Sequence, residues 1–500
     1  MIDMDTHDNP TPTNKLDLAS SRDLARRFSI LDKALEDASI ADLPENLPHF
    51  IAGEFREGTG RLLSSTNPAT GEMLYEFRSA TKQEVDQAMK SARSGQRAWV
   101  ALDGIERSKI LYRIARMLAE HSRRLAVVET LDGGKPIRET RDIDIPLAAQ
   151  HFFHYAGWAD KLDLANLGPS PRPLGVAAQV IPWNFPLLMA AWKIAPALAC
   201  GNAVVLKPAE TTSATAHLLA KICAEAGVPP GVVNILNGGP ETGRLLVSHP
   251  GADKVAFTGS TEVGRSIAAD LAGTGRRLTL ELGGKGANIV FDDASLETAV
   301  EGVIQGIFFN QGHVCCAGSR LLVQESVQAE FLGLLAERIA KIVVGNPLDK
   351  NTEMGAINSE AQFIKIKNLV DLAVSEGAQL LPSTCPVPDT GWFQPPTVLT
   401  GVSPASTIAN EEVFGPVLSV LSFRTTAEAV ELANNTPYGL ACGVFTQHPD
   451  KARLVASQLQ AGIIWTNTYN VFDPTVAFGG FKQSGFGREG GRAGLEAYCD

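Results

Sequence analysis

The chain has 500 residues, of which 44% are hydrophobic and 20% charged, a balance typical of a folded protein rather than a disordered one. At roughly 100–200 residues per domain, this length accommodates about three structural units. Acidic residues outnumber basic ones by 55 to 44, and the net charge of −11 disfavours nonspecific binding to nucleic acid or anionic membranes. We therefore expect a multidomain protein with no nucleic-acid or membrane partner.

Residues 1–47 are polar and mixed, and we interpret them as an N-terminal extension with a short helical stretch near Phe28–Leu35. Their early acids and lack of an apolar core do not fit a signal or transit peptide. An uncharged stretch from Pro173 to Trp192 contains two internal prolines, which favours buried core over a membrane-spanning helix. Seven cysteines without CxxC spacing predict free thiols in a reducing compartment, so we expect a cytoplasmic protein.

From residue 48 the pattern becomes regular. FIAGEF and the PATGE turn predict short strands, and RSKILYRIARMLAEH has the apolar spacing of a helix. From Gly175, apolar runs (VAAQVIPW, AVVLK, VVNIL, KVAFTG, ANIVF) alternate with helical segments, which predicts a parallel sheet with helices on both faces. A second alternating set at roughly 284–480 predicts a second α/β lobe of comparable size. The predicted fold class is thus α/β, with two open and mainly parallel lobes.

One motif, Phe257–Ile267, has a strand, a tight turn and a helix in succession. Gly259 lets the backbone approach a ligand, and Ser260 can cap the helix, whose first N–H groups can face an anion. The motif is not GxGxxG, and in isolation it fits an ordinary capped turn equally well.

Two further segments place charged residues at strand ends. In VVLKPAE a buried strand delivers Lys207 and then Glu210, where α/β sheets bind ligands, although alone this could be a solvated strand end. In LELGGKGANIV, Glu281 lies in an apolar strand before paired glycines. Such a carboxyl group should have a raised pKa and could act as a general base, or it could be paired with a lysine.

The segment NQGHVCCAGSR places Cys315 and Cys316 among small residues that leave room for a substrate. A reactive cysteine needs a lowered pKa or an oriented partner, whereas most buried cysteines are inert. His313 is too close in sequence to serve as the base. We interpret His151 and His154 as residues on a helix surface rather than a metal site, and we predict no metal.

Two prolines in IPWNFP hold Asn184, whose side-chain amide could donate to an oxyanion. EEVFGP, at 411–416, and FGGFKQSGFGRE, at 478–489, are loops when taken alone. Together, however, these motifs closely resemble the aldehyde dehydrogenase superfamily, in the family's order and over nearly the whole chain.

The resemblance implies a variant Rossmann dinucleotide-binding domain, a catalytic domain and a small β oligomerisation flap. By that resemblance, the dinucleotide-binding domain consists of residues 48–152 and 174–282, and the catalytic domain of residues 283–482. The flap consists of residues 153–173 and 483–500. The chain stops about where the family's last strand would begin, so we expect a truncated flap and a homodimer rather than a tetramer. The stripe Val263, Ile267 and Leu271 would supply the shared helical face.

The resemblance also assigns roles to residues. Cys315 matches the nucleophile and Glu281 the base, while Asn184 and the backbone N–H of Cys315 match the oxyanion hole. Lys193 and Glu489 match residues that relay protons. The residues that match the cofactor site, for NAD with NADP less favoured, are Ile181, Pro182, Trp183, Lys207, Glu210, Gly259, Ser260, Glu412 and Phe414. The apolar residues that match the substrate tunnel are Met189, Trp192, Phe472 and Phe478.

The implied activity is oxidation of an apolar aliphatic or aromatic aldehyde to the acid, through a thiohemiacetal and a thioester. Two alternatives stay open: a CoA-acylating relative, which usually lacks a glutamate at the Glu281 position, and a non-catalytic descendant, disfavoured by intact Cys315, Glu281 and Asn184. The chain departs from the family at His313, where glutamine is usual.

Overall fold

A computed structural model of the protein describes residues 45–168, 170–382 and 385–500. The predicted helix near Phe28–Leu35 and most of the N-terminal extension lie outside these residues. The strands are β1 His49–Ile51, β2 Glu54–Arg56, β3 Leu62–Thr66, β4 Met73–Arg78, β5 Val176–Val180, β6 Ala203–Lys207, β7 Val233–Ile235, β8 Lys254–Thr258, β9 Arg277–Glu281, β10 Ala287–Val290, β11 Arg320–Gln324, β12 Gln379–Leu380, β13 Thr397–Thr400, β14 Val417–Phe423, β15 Ala441–Phe445, β16 Ile463–Thr466 and β17 Gly485–Phe486.

Helices connect most of these strands. They are α1 Lys82–Ala101, α2 Gly104–Glu120, α3 Ser122–Gly133, α4 Ile137–Glu139, α5 Ile145–Ala156, α6 Pro186–Ala199, α7 Ala214–Glu225, α8 Pro240–Ser248, α9 Thr261–Leu271, α10 Leu296–Ile307, α11 Gln328–Ile339, α12 Glu360–Ser375, α13 Thr407–Asn410, α14 Thr426–Asn434, α15 Pro449–Gln458 and α16 Gly491–Glu496. A π-helical turn, Thr140–Asp144, joins α4 to α5. Within the described residues, no helix is long and apolar enough to cross a bilayer.

The two predicted α/β lobes are confirmed as two sheets. The first has the order β17-β9-β8-β5-β6-β7-β1-β2, and its central strands β9, β8, β5, β6 and β7 are parallel. The second has the order β12-β13-β14-β11-β10-β15-β16 and is parallel except at β12. ANIVF forms β10 of this second sheet. Strands β3 and β4 form a separate hairpin.

Local sequence explains these elements. Strand β6 is buried throughout, as its unbroken apolar run predicts for a central parallel strand. Helix α1 begins with a capping box between Thr81 and Glu84, and α6 begins with Pro186, whose missing N–H costs nothing at a first turn. The central strands of the first sheet are parallel, so β5, β6, β8 and β9 all end at one edge. This edge positions the residues that follow Val180, Lys207, Thr258 and Glu281.

The stripe on α9 differs from the sequence-based expectation. Ile267 and Leu271 are buried in the protein's own core, against the first sheet, and Val263 is left exposed. The stripe therefore packs within the chain and does not form a free apolar face. The stripe therefore does not indicate a subunit contact. Helical periodicity shows that one face of a helix is apolar, but it does not show which surface covers that face.

The C-terminal segment also has partners within the chain. Strand β17 pairs with β9 in the first sheet, and Pro173 forms an isolated antiparallel bridge with Cys499. Arg172 and Asp500 exchange two backbone hydrogen bonds, of 3.0 and 2.9 Å. The described residues of 153–173 form no strand of their own beyond this bridge. The assignment of the two segments to a flap stays a prediction.

Candidate active site

A cavity lies at the carboxyl edge of the first sheet. It is lined by most of the residues that the sequence predicts for the site: Pro182, Trp183, Asn184, Met189, Trp192, Gly259, Ser260, Glu281, Cys315, Glu412, Phe414, Phe472, Phe478 and Glu489. The predicted residues Ile181, Lys193, Lys207 and Glu210 are not part of the lining. Folding thus collects most of the separate motifs around one space.

The two adjacent cysteines both line the cavity but differ in exposure. Cys315 is partly exposed, whereas Cys316 is 1% exposed, with its Sγ 3.7 Å from Asn470 Oδ1. Tyr469 Oη also donates to the Cys316 carbonyl at 2.8 Å. A hydrogen bond with the Cys316 thiol, together with burial, raises the pKa of Cys315 well above its usual value. The resting Cys315 side chain is therefore a thiol, and its activation requires a base.

The loop before the cysteines has an unusual backbone. Asn310, Gln311 and Gly312 have φ angles of +48°, +53° and +74°. A Cβ atom at Gly312 would lie 2.2 Å from the Gly415 carbonyl oxygen, so glycine is required there both for its φ and for this close approach. The turn directs the following Cys315 into the cavity.

Glu281 is the last residue of β9 and is 4% exposed. Neither of its carboxylate oxygens has a hydrogen-bond partner among the residues that the structure describes. Burial, and next the Glu489 carboxylate, raise its pKa well above the usual value. A Cβ atom at Gly479 would lie 2.7 Å from Glu281 Oε1, so the glycine leaves room for the carboxyl group. Glu281 is a strong proton acceptor once ionised, in the same cavity as Cys315.

Asn184 is held by hydrogen bonds at both its side-chain amide and its main-chain oxygen. Its Nδ2 donates to the His313 carbonyl at 2.7 Å, and its own main-chain oxygen accepts from Asn310 Nδ2 at 2.8 Å. Because the side-chain amide carries two N–H groups, one remains for a ligand in the cavity. Next to it, the His313 ring contacts both Trp183 and Phe414, with centroid distances of 4.8 and 5.9 Å.

Lys193 forms a buried ion pair with Glu489, and Glu489 connects it to the cavity. Lys193 and Glu489 are far apart in sequence, and the tertiary structure brings them together behind Glu281.

Aromatic side chains form the apolar end of the cavity. Trp192 lies 5.6 Å from Phe478 and 6.4 Å from Phe472 between ring centroids. The prediction that His151 is a surface residue is wrong: it is fully buried and lies 4.6 Å from the Trp192 ring. Its helix α5 packs against α6, which covers that face. In the described part of the chain no cluster could hold a metal ion.

The remaining strand ends form a polar region. Lys207 Nζ lies 3.7 Å from Glu210 Oε2, and Ser260 Oγ accepts from Val263 N at 3.4 Å as the cap of α9. The hydroxyl of Thr258 is buried and has no hydrogen-bond partner among the described residues. A free donor beside a helix N-terminus suits the phosphates of a dinucleotide, so the residues present fit such a group.

A second set of groups frames this region. Glu412 accepts from Gly284 N at 2.9 Å, and Phe414, at φ +56°, packs edge-on against Trp183 at 5.2 Å. Gln362 donates to the carbonyls of Val413 and Phe414, at 3.0 and 2.8 Å. This glutamine fixes the loop that carries the strained Phe414.

Sequence reasoning missed several lining residues: Ile143, Asp144, Leu147, Phe185, Leu188, Phe309, Val314, Gln362 and Lys365. Helical spacing from Trp192 back to Leu188 and Phe185 could have indicated two of them. No local signal marks Gln362 or Asp144, since they come from α12 and from the π-helical turn.

Similarity to known proteins identifies the family. Residues 55–500 match the sequence model of the aldehyde dehydrogenase family. The chain belongs to the aldehyde dehydrogenase family. It is therefore an oxidoreductase that acts on aldehydes.

Relatives match this aldehyde dehydrogenase over almost their full length. Human retinal dehydrogenase 2 is 44% identical over 492 residues, which are 94% of this chain and 95% of that protein. A putative aldehyde dehydrogenase of Bacillus subtilis, DhaS, is 43% identical over 90% of this chain and 94% of its own length. A solved NAD⁺ complex of aldehyde dehydrogenase from Bacillus cereus is 40% identical, with a TM-score of 0.89 over 92% of this chain and 96% of that one.

Proposed function

We propose that this aldehyde dehydrogenase oxidises an apolar aliphatic or aromatic aldehyde to its carboxylic acid with NAD. The observation that carries the proposal is the presence of Cys315, Glu281 and Asn184 around one cavity. A thiol, a buried base and an amide donor are the groups that acyl transfer through a thioester requires.

In the first half of the reaction, Cys315 attacks the aldehyde carbon and forms a thiohemiacetal. A water molecule in the cavity takes the thiol proton as the C–S bond forms, because the raised pKa keeps the resting residue neutral. Asn184 and the backbone N–H of Cys315 donate to the oxyanion as its charge develops. Loss of a hydride from the adduct leaves a thioester, and a nicotinamide held near Glu412 and Phe414 would supply the hydride acceptor.

In the second half, Glu281 takes a proton from water, which then attacks the thioester and releases the acid. Burial without a hydrogen-bond partner makes the Glu281 carboxylate a strong base. Glu489 accepts the proton from Glu281 and passes it on, while the Lys193 ammonium, its ion-pair partner, stabilises the Glu489 carboxylate. A glutamate in this position disfavours transfer of the acyl group to CoA.

For the cofactor, we assign the adenosine ribose to Lys207 and Glu210 and the pyrophosphate to the region of Gly259 and Ser260. Pro182 and Trp183, with Ile181 buried behind them, would adjoin the cofactor, and Glu412 and Phe414 would hold the nicotinamide ribose and ring. The NAD⁺ complex of the Bacillus cereus relative supports this choice of dinucleotide. Glu210 disfavours NADP, because its carboxylate would repel a 2′-phosphate.

The substrate class follows from the walls of the cavity. Met189, Trp192, Phe472 and Phe478 line its apolar end, joined by Leu147 and Leu188. Transfer of an apolar chain or ring from water to this end of the cavity is favourable. A carboxylate on the substrate would lose its hydration there without gaining a partner. The similarity to retinal dehydrogenase 2 supports a hydrophobic aldehyde.

We further propose the domain division 48–152 with 174–282 for the cofactor, 283–482 for catalysis, and 153–173 with 483–500 as the flap. We also propose a homodimer. Six free thiols, those of Cys200, Cys223, Cys315, Cys316, Cys442 and Cys499, support a reducing, cytoplasmic compartment.

A panel of aldehydes with NAD tests the function. We expect NADH formation with stoichiometric acid, and higher kcat/KM for medium aliphatic and aromatic aldehydes than for semialdehydes that carry a carboxylate. Cys315→Ala should abolish turnover and leave NAD binding unchanged. Activity that depends on added CoA, or an active Cys315→Ala enzyme, would refute the proposal.

A further inference from the structure

Lys135 is a buried cation next to Asn184. The residue is 1% exposed, and its Nζ donates to the main-chain oxygen of Asn184 at 3.3 Å. The same ammonium forms an ion pair with Asp144, which is fully buried, and lies 4.0 Å from the centroid of the Phe185 ring. Its contacts therefore reach the residues on both sides of the Asn184–Phe185 peptide bond.

A second donor holds the same oxygen from the nucleophile loop. Asn310 Nδ2 donates to the Asn184 oxygen at 2.8 Å and lies 3.4 Å from the His313 oxygen. The Glu139 carboxylate in turn accepts from Asn310 N, at 3.0 and 3.2 Å. The α4 segment and the π-helical turn thus fix both the Asn184 backbone and the loop that leads to the cysteines.

The same cluster also holds the start of α6. Glu129 accepts from Leu187 N with its Oε2 at 3.1 Å, at the first turn of the helix that carries Met189 and Trp192. These contacts arise from α3, α4 and the π-helical turn. A π-helical turn places its side chains out of the ordinary helical register and is common beside functional sites.

The charges in this cluster do not balance when all groups are ionised. The ionisable groups that face Lys135 are Glu129, Glu139 and Asp144, with Arg138 beside Glu139 and His313 on the far side. Burial raises the pKa values of Glu129 and Glu139 to about 8 and that of Asp144 above its usual range. Burial, with Lys135 next, lowers the pKa of His313 to about 3, so His313 stays neutral. Burying charged groups of this kind costs free energy of folding, so we expect the contacts that the cluster makes to have a functional role.

We infer that Lys135, with Asp144 as its counter-ion, is a positioning residue that fixes the Asn184 amide as an oxyanion donor. This inference rests on the proposed role of Asn184. Lys135 touches neither substrate nor cofactor; it acts by holding the Asn184 carbonyl. The carbonyl and the side-chain amide belong to one residue. Loss of one of the two donors to the carbonyl lets the Asn184 backbone shift and so displaces the amide, which the His313 oxygen holds only at its Nδ2.

The test is a double-mutant cycle on the pre-steady-state burst of NADH. We expect Lys135→Met to slow the burst by about tenfold or more, since a shift of ~1 Å in a catalytic group can cost ~10²-fold. NAD affinity, measured by quenching of tryptophan fluorescence, should stay within about twofold. In the Asn184→Ala background, Lys135→Met should have almost no further effect, because the group that it positions is gone. Lys135→Arg, which keeps a charged donor, should recover part of the rate.

Lys451 supplies a matched control. It too pairs with an aspartate, Asp293, at 3.0 Å, and lies 4.9 Å from the ring centroid of Phe291. Lys451→Met should leave the burst unchanged, since it contacts no residue of the cavity. If Lys135→Met does not fold, Asp144→Asn gives the second test. It keeps the donor and removes its counter-ion, and its smaller loss should also vanish in the Asn184→Ala background.

The outcomes separate the two proposals. An unchanged burst in Asn184→Ala refutes the oxyanion role of Asn184, and the role of Lys135 fails with it. If Asn184→Ala slows the burst, and the fold-losses in burst rate from Lys135→Met and Asn184→Ala multiply in the double variant, only the positioning role of Lys135 is overturned. A burst loss in Lys135→Met that comes with an equally large loss of NAD affinity overturns it as well, because that pattern indicates general disruption.

Discussion

Lys193 and Glu489 form a buried ion pair behind Glu281, and the Glu489 carboxylate helps to raise the pKa of Glu281. A carboxylate acts as a base only when ionised, so thioester hydrolysis should fall as the pH drops through that pKa. The neutral variant Glu489→Gln removes the repulsion and leaves Lys193 to favour the Glu281 anion.

We therefore predict that Glu489→Gln moves the acid limb of the pH–rate profile to lower pH. The profile should be measured on the hydrolysis step in single-turnover experiments. Glu496→Gln, which removes a surface ion pair with Arg492, is the control. A limb that moves to higher pH would show that Glu489 does not act on Glu281 through its charge.

The base itself can be assigned to one half of the reaction. Glu281→Gln keeps the shape of the side chain and removes its basicity, so it should slow thioester hydrolysis far more than acylation. The measurement is an NADH burst followed by slow turnover. Absence of the burst would place Glu281 in the acylation step.

The two neighbouring thiols should differ in reactivity and influence one another. The hydrogen bond with Cys316 is the first cause of the raised pKa of Cys315. Cys316→Ala should therefore keep much of the activity and lower the pKa of Cys315. Alkylation by iodoacetamide, followed against pH, should then set in at lower pH than in the unmodified enzyme. Loss of activity in Cys316→Ala, with Cys315→Ala still active, would reverse the assignment.

Cofactor preference should depend on Glu210. The residue is partly exposed and sits 3.7 Å from Lys207, which softens but does not cancel the repulsion of a 2′-phosphate. We expect NAD to be preferred, and Glu210→Ala to raise kcat/KM with NADP while lowering it with NAD. The matched change Glu225→Ala, at the exposed end of α7, should alter neither. Equal use of both dinucleotides by the unmodified enzyme would contradict the assignment.

Assembly is tested by light scattering at low micromolar concentration, where we expect a dimer. Val263 is the exposed member of the α9 stripe, so Val263→Asp should weaken the dimer if α9 contributes to the contact. A clean monomer, or a tight tetramer, would contradict this prediction.

The sequence by itself determined the fold class and most of the cavity lining. Strand–helix alternation is a local pattern, and parallel strands bring their ends to one edge. Residues placed at strand ends, such as Glu281 and Ser260, therefore converge without further information. The remaining predicted lining residues, such as Cys315, Glu412 and Phe478, were placed by the resemblance of their motifs to the aldehyde dehydrogenase family.

Only the tertiary structure decided how distant residues act on each other. It buried His151 against Trp192, turned Ile267 and Leu271 into the protein's own core, and placed Lys135 on the Asn184 carbonyl. Burial and the charges of distant neighbours set the pKa values of Cys315 and Glu281, and no local pattern records them. Periodicity shows that a face is apolar, whereas only packing shows what covers it.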